Sequence, residues 1–265
     1  MNQGFPIETG SIPAFACLYD QRFSYYAYVP KCYGEDPERI HPLAVIIHGN
    51  ERAAQSYRSA FKDFAEETGT IILAPLFPAG IIEPHDKENY KFIKFHDLRF
   101  DRILLSMIDE LAIRYRISTQ KFLLHGFSGG GQFVHRFLYL HPDRLQAVSI
   151  GAPGRFTFLD EKLNWPFGIS DIEKVLELTI RLELIQQVPV QLVVGKEDLA
   201  LPVFNPKYDL SIKGAGNTRI DRVRMFRDHL ISKGIGVRYD EVPGVAHEGM
   251  KILPVVKEFF KGSST

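Results

Sequence analysis

Short unbroken apolar runs constrain this chain more than any other feature. Leu43-Ala-Val-Ile-Ile-His48 is one and residues 70–76 form another; a run of that length without alternation suits a strand covered on both faces. Between the runs the apolar period changes to that of a helix. Tyr57, Phe61, Phe64 and Ala65 fall at i, i+4, i+7 and i+8, and Leu104, Met107, Ile108 and Leu111 form a second stripe. Further strands are expected over 121–126, 145–151, 189–195 and 237–242, with helices over 129–141, 218–233 and 251–261. Strands that alternate with helices give an α/β fold, a mostly parallel sheet with helices on both faces. Only the start departs from this pattern: 14–19, a turn at Asp20-Gln21-Arg22 and 23–29 read as a β-hairpin. A single domain over 1–265 is expected, with a short insertion over 155–187 that breaks the alternation. With 45% hydrophobic residues, a chain of 265 residues can bury a full core.

Several function classes are disfavoured at once. Lysine plus arginine and aspartate plus glutamate stand at 32 each and no basic stripe is present, so a nucleic-acid partner is not expected. Cys17 and Cys32 lack CxxC spacing and are too few for a disulfide framework; free thiols are the expected state. The histidines and carboxylates are scattered without HExxH spacing, so neither a metal nor another cofactor is expected. The first residues show no basic start followed by an apolar core, and no stretch approaches the roughly 18 apolar residues of a membrane span. A cytoplasmic protein without a membrane partner is the expectation.

Gly126-Phe127-Ser128-Gly129-Gly130 matches G-x-S-x-G, a weak pattern taken by itself. Its setting strengthens it. The apolar strand Phe122-Leu-Leu-His-Gly126 runs straight into the serine, and a helix with Phe133, Val134, Phe137 and Leu138 on one face leaves it. A strand–turn–helix of this kind lifts a serine hydroxyl above the sheet edge, and glycines on either side relieve the crowding of so tight a turn. The competing reading is a plain glycine-rich turn that cradles a phosphate.

A serine hydroxyl needs a neutral imidazole to take its proton and a carboxylate to orient that imidazole. In this topology the chain order is serine, acid, histidine. The strand ending at Gly195 leads into Lys196-Glu197-Asp198, where Asp198 is preferred to Glu197 as the acid. Of nine histidines only His247 lies in the loop after the final strand. His41, His85, His96, His135, His141 and His229 read as surface or core residues, and His125 as a strand residue turned away from the site. Acyl transfer also needs donors for an oxyanion. The N–H of Gly129 is one candidate. The N–H of Asn50, which follows Gly49 beyond the first buried strand, is the other, with a simple turn as the alternative there.

With these residues in place the chain resembles the α/β-hydrolase superfamily from about residue 12 to 261. Within it, the resemblance is to the esterase branch that includes polyhydroxybutyrate-depolymerase-like and feruloyl-esterase-like enzymes. Three local matches carry it: Pro42-Leu-Ala-Val-Ile-Ile-His-Gly49, the run from Tyr115 through Gly126-Phe-Ser-Gly-Gly130, and Gly195-Lys-Glu-Asp-Leu-Ala-Leu-Pro202. The resemblance implies Ser128, Asp198 and His247 as a triad, Asn50 and Gly129 as oxyanion donors, and hydrolysis of a small-molecule carboxylic ester through an acyl-enzyme. Many depolymerase relatives have a cysteine where Asn50 stands, and some carry disulfides this chain lacks, so substrate identity does not transfer. Amide, lactone or thioester hydrolysis by the same groups stays open, as does a non-catalytic receptor on the same fold.

The insertion over 155–187 falls on the carboxyl side of the sheet, where ligands bind in such folds. It contains Phe156, Phe158 and Trp165-Pro-Phe167, then Ser170 and Glu173 at the spacing of a capping box. Ile172, Val175, Leu176 and Ile180 would pack the following helix down as a small lid. The loop over 77–96 adds Tyr90, Phe92 and Phe95, with Lys91 and Lys94 between them. An apolar or aromatic substrate pocket lined by Phe127, Trp165 and Phe92 is expected; the competing reading makes these aromatics anchors of the lid.

Overall fold

The computed structural model describes residues 8–200 and 217–263. The N-terminal hairpin is present as β1 (Gly10–Ala16) and β2 (Ser24–Val29), paired antiparallel. Its first strand ends earlier than the pattern suggested. The Leu18 and Tyr19 N–H groups donate to the Glu110 carboxylate, at 2.8 and 3.3 Å, and so leave the ladder. The β1–β2 register shifts between Ile12 and Phe15, around Pro13, whose ring nitrogen has no hydrogen to donate.

The alternating section follows. β3 (Leu43–Ile47) and β4 (Ile71–Leu76) flank α1 (Ala54–Ala60) and α2 (Lys62–Thr68). One helix was expected here. Two form, with Phe61 at the joint, yet Tyr57, Phe61, Phe64 and Ala65 are all buried and the apolar face survives the break. A small ladder of β5 (Lys94–Phe95) and β6 (Leu98–Arg99) precedes α3 (Phe100–Arg114). β7 (Phe122–Phe127), α4 (Gly129–Leu140) and β8 (Leu145–Gly151) come next.

Within the insertion, α5 (Ile172–Leu176) and α6 (Leu182–Ile185) are short. β9 (Val190–Gly195), α7 (Arg219–Ser232), β10 (Val237–Val242) and α8 (Leu253–Gly262) complete the described chain.

The eight-stranded sheet has the order β1-β2-β4-β3-β7-β8-β9-β10. β2 meets β4 antiparallel, and every pairing from β4 to β10 is parallel. Every residue of β3, β7 and β9 is buried, as unbroken apolar runs require. β10 is the far edge. None of its six residues is fully buried, and it carries Arg238, Asp240 and Glu241. A capping box forms at α7, where Thr218 Oγ1 accepts from the Asp221 N–H and Asp221 accepts from the Thr218 N–H.

The capping box expected at Ser170 does not form. Asp171 is the residue before α5; its carboxylate accepts from the Trp165 N–H at 2.7 Å, while Ser170 bonds the Asn164 side chain. The helix stops at Leu176, so Ile180 lies beyond it. Its last carbonyls are held from outside: Lys94 Nζ donates to Val175 O at 3.0 Å and Arg99 Nη1 to Leu176 O at 2.6 Å. Two cations at its C-terminal end satisfy acceptors that a five-residue helix cannot. Ile172 and Leu176 are buried, with Val175 and Ile180 packed half-buried against the same core. Cys17 and Cys32 are free thiols. Among the described residues no helix is long and apolar enough to cross a membrane.

Candidate active site

Ser128 stands between β7 and α4 with φ 56° and ψ −110°, a conformation an L-residue adopts only under strain. The turn is fixed by its backbone. The Ser128 N–H donates to Gly151 O at 2.8 Å, tying the serine to the end of β8. A side chain at Gly126 would come within 2.5 Å of the Gly130 carbonyl, and one at Gly130 within 2.5 Å of Ile47 O. Only glycine lets β3, β7 and α4 approach this closely.

Two later loops reach the serine. His247 Nε2 lies 2.9 Å from Ser128 Oγ, and His247 Nδ1 lies 2.6 Å from Asp198 Oδ2. A carboxylate only accepts, so Nδ1 carries the proton and donates it, leaving Nε2 free to accept from the serine hydroxyl. Asp198 is buried, whereas Glu197 is exposed and contributes its N–H to Val245 O at 2.8 Å. The Phe127 ring packs against the imidazole at a tilt of 35°, 4.6 Å between centroids. Arg219 Nη1, at the first residue of α7, is 3.7 Å from Asp198 Oδ1. Burial pushes that guanidinium down and Asp198 opposes the shift.

The loop after β3 forms the opposite wall. His48 Nδ1 donates to Gly49 O at 2.8 Å and Nε2 accepts from the Phe77 N–H at 3.0 Å; burial pushes the imidazole down to about 3 and keeps it neutral. Arg52 clamps the same loop, donating to Asn50 O at 2.9 Å, Phe77 O at 3.3 Å and Lys87 O at 2.9 Å. A side chain at Gly129 would meet Tyr90 Oη at 2.5 Å, Asn50 Oδ1 at 2.7 Å and Lys91 Cε at 3.1 Å. Asn50 and Gly129 therefore face each other beside Ser128.

No family model and no curated protein sequence matches the chain. Solved structures do match. Poly(aspartic acid) hydrolase-1 from Sphingomonas sp. KT-1 superposes with a TM-score of 0.77 and 20% identity, over 95% of this chain and 98% of that one. LpqC, a poly(3-hydroxybutyrate) depolymerase from Bordetella parapertussis, gives 0.75 and 22% over 96% and 91%. An S-formylglutathione hydrolase from Agrobacterium tumefaciens gives 0.63 and 14% over 96% and 93%. The fold is that of the α/β-hydrolases.

On this α/β-hydrolase scaffold the structure brings together Ser128, Asp198, His247, Gly129 and Asn50. The three aromatics expected to line a pocket are placed differently. Phe127 is 4% exposed and supports the His247 ring. Phe92 is buried, with the Arg136 and Arg155 guanidinium carbons each 5.0 Å from its ring centroid, and Trp165 Nε1 donates to Phe92 O at 3.2 Å. The contact between Trp165 and Phe92 joins the insertion to the 77–96 loop, as the anchor reading expects. The other histidines behave as expected of structural residues. His41, His125, His135, His141 and His229 each bond a neighbouring carbonyl, amide, hydroxyl or carboxylate.

Three residues escaped sequence reasoning. Arg219 sits beside the acid only because α7 packs there. Arg52 stands in a loop and Lys91 in a single 3-10 turn over Asn89–Phe92, neither long enough to show a periodicity. The one available signal was Lys91 itself, a lysine flanked by two aromatics.

Proposed function

We propose that the protein is a serine hydrolase that cleaves a small-molecule carboxylic ester through an acyl-enzyme, with Ser128 as nucleophile. The observation that carries this is the unbroken relay from Ser128 Oγ through His247 to the buried Asp198, starting at a serine held in strained geometry. A phosphate cradle would need neither the imidazole nor the acid.

In the proposed reaction His247 Nε2 takes the hydroxyl proton as Oγ attacks the ester carbonyl. Asp198 keeps the imidazole oriented and stabilises its protonated form. The tetrahedral oxyanion is received by the Gly129 and Asn50 N–H groups, a preorganised pair that would supply a large share of the rate. His247 then gives its proton to the departing alcohol, and a water repeats the sequence to release the acid. Support for ester chemistry also comes from the likeness to a depolymerase of a polyester and to esterases, read as a guide to chemistry and not to substrate.

The test is a fluorophosphonate probe together with a panel of p-nitrophenyl esters, thioesters and anilides. Wild type should label and turn over the esters fastest, and Ser128→Ala should do neither. A folded wild type that fails to label would favour a non-catalytic receptor, and a preference for thioesters or anilides would replace the ester reading.

A further inference from the structure

Beside Gly129 lies a buried cluster that the proposed reaction does not use. Lys91 is 2% exposed, and its Nζ donates to Glu88 Oε1 at 2.7 Å. Arg155, equally buried, bonds the other oxygen of the same carboxylate. Arg136 is fully buried and donates to neutral acceptors, among them Lys91 O at 2.7 Å and Gln132 O at 2.9 Å. Two basic side chains thus share one carboxylate, and a third, Arg136, is held beside them by neutral acceptors. A buried ion pair contributes little net stability compared with apolar packing, so its position is the informative fact. Lys91 Cε forms part of the wall against Gly129, 3.1 Å from where a side chain there would begin. A positive charge at that place, away from water, acts on the oxyanion site more strongly than it would in solvent.

We propose that Lys91 is a positioning residue of the oxyanion site, whose ammonium, fixed by Glu88, holds positive charge beside Gly129 and favours the tetrahedral intermediate over the bound ester. This rests on Ser128 being the nucleophile. Among the described residues, the groups around Lys91 include Glu88 and Tyr90 from its own turn, and Asn50 and Arg52 from the loop after β3. α4 adds Gly129 and Arg136, and the segment after β8 adds Arg155. Burial pushes the lysine down to about 8, with Glu88 opposing. Burial sends the hydroxyls of Tyr90 and Tyr57 far above their ordinary range, so neither titrates in the working window. The lysine loses its charge as pH rises through about 8, so turnover should fall there.

The experiment measures kcat and KM for p-nitrophenyl butyrate from pH 6 to 10 in wild type and in folded Lys91→Met, Lys91→Arg, Glu88→Gln and Ser128→Ala. Lys91→Met should lower kcat about tenfold at pH 7 with KM within about threefold, because it removes a charge beside a donor and leaves the donor in place. It should also abolish the alkaline limb. Lys91→Arg should recover most of the rate and show no limb, since a guanidinium does not titrate there. Glu88→Gln should move the limb to lower pH. A folded Lys91→Met with wild-type kcat, or one that keeps the alkaline limb, overturns the proposal, as does a Lys91→Arg no better than Lys91→Met. If Ser128→Ala is inactive in that case, the serine reading stands and only the lysine's role falls. If Ser128→Ala keeps its turnover, it is the serine reading that fails.

Discussion

The turn between β7 and α4 and the insertion between β8 and β9 lie at the same end of the sheet, yet they differ in how they are tied to the rest of the molecule. The turn is fixed by backbone: a Ser128 N–H on Gly151 O, and glycines where strands and helix nearly touch. The insertion has backbone turns of its own, such as the Phe158 N–H on Phe167 O at 2.8 Å, and is tied to the rest of the molecule by side chains that come from far along the chain. Arg99 and Lys94 hold the end of α5, Trp165 Nε1 reaches Phe92 O, and His229 Nε2 accepts from the Leu159 N–H at 2.8 Å. Changes near the serine should therefore cost rate with little loss of stability, and changes under the insertion should do the reverse.

The largest expected effect is on rate. Asp198→Asn should lower kcat on p-nitrophenyl butyrate by about a thousandfold or more, because the imidazole loses its orienting acceptor and adopts the wrong tautomer. Its melting temperature should stay near wild type in a thermal scan. Equal losses of both would break the contrast.

Arg99→Met is the counterpart. It strips the Leu176 carbonyl and half the partners of buried Asp101, which bonds Arg99 Nε at 2.9 Å and His141 Nε2 at 2.8 Å. Removing one member of such a network costs about 3 kcal/mol. For a chain of this size that is a melting temperature lower by about 5 to 10 °C, while the rate of the remaining folded protein is kept.

A pH series sharpens the same side of the contrast. Burial by itself would raise Asp101, but the hydrogen bonds from His141 and Arg99 overcome it and bring the carboxyl down to about 2. A depressed acid contributes stability above its unfolded value near 4 and loses it as pH falls towards 2. In urea melts between pH 5 and 2.5, Asp101→Asn should lose roughly 2 kcal/mol less than wild type over that descent.

The smallest effect tests the lining of the site. If Trp165 anchors the insertion to the 77–96 loop, Trp165→Ala should change kcat/KM for aryl and short alkyl esters by the same modest factor, within about threefold. A selective loss for aryl esters would return the indole to a substrate pocket.

What could be read in advance follows the same divide. Strand runs such as Leu43–Ile47, the serine with its glycines, and the order of Ser128, Asp198 and His247 were legible because local period and chain order decide them. The ends of elements were less so. Glu110 captures the N–H groups after β1, and Phe61 splits a helix whose apolar face reads as continuous. The insertion was the hardest to read. Ser170 and Glu173 have the spacing of a cap, but Asn164 takes the serine and two distant cations terminate the helix. Lys91 and Arg219 likewise owe their positions to elements distant in sequence.

The outer strands of the sheet have a consequence of another kind. Among the described residues the sheet has two open margins, β1 and β10, each a row of backbone groups to which a passing strand could add. On β1 the register shift around Pro13 breaks that row, and on β10 Arg238, Asp240 and Glu241 crowd the margin with charge held in ion pairs to Glu258 and Arg224. A break in the ladder at one margin and paired charges at the other are both features that oppose the addition of a ninth strand.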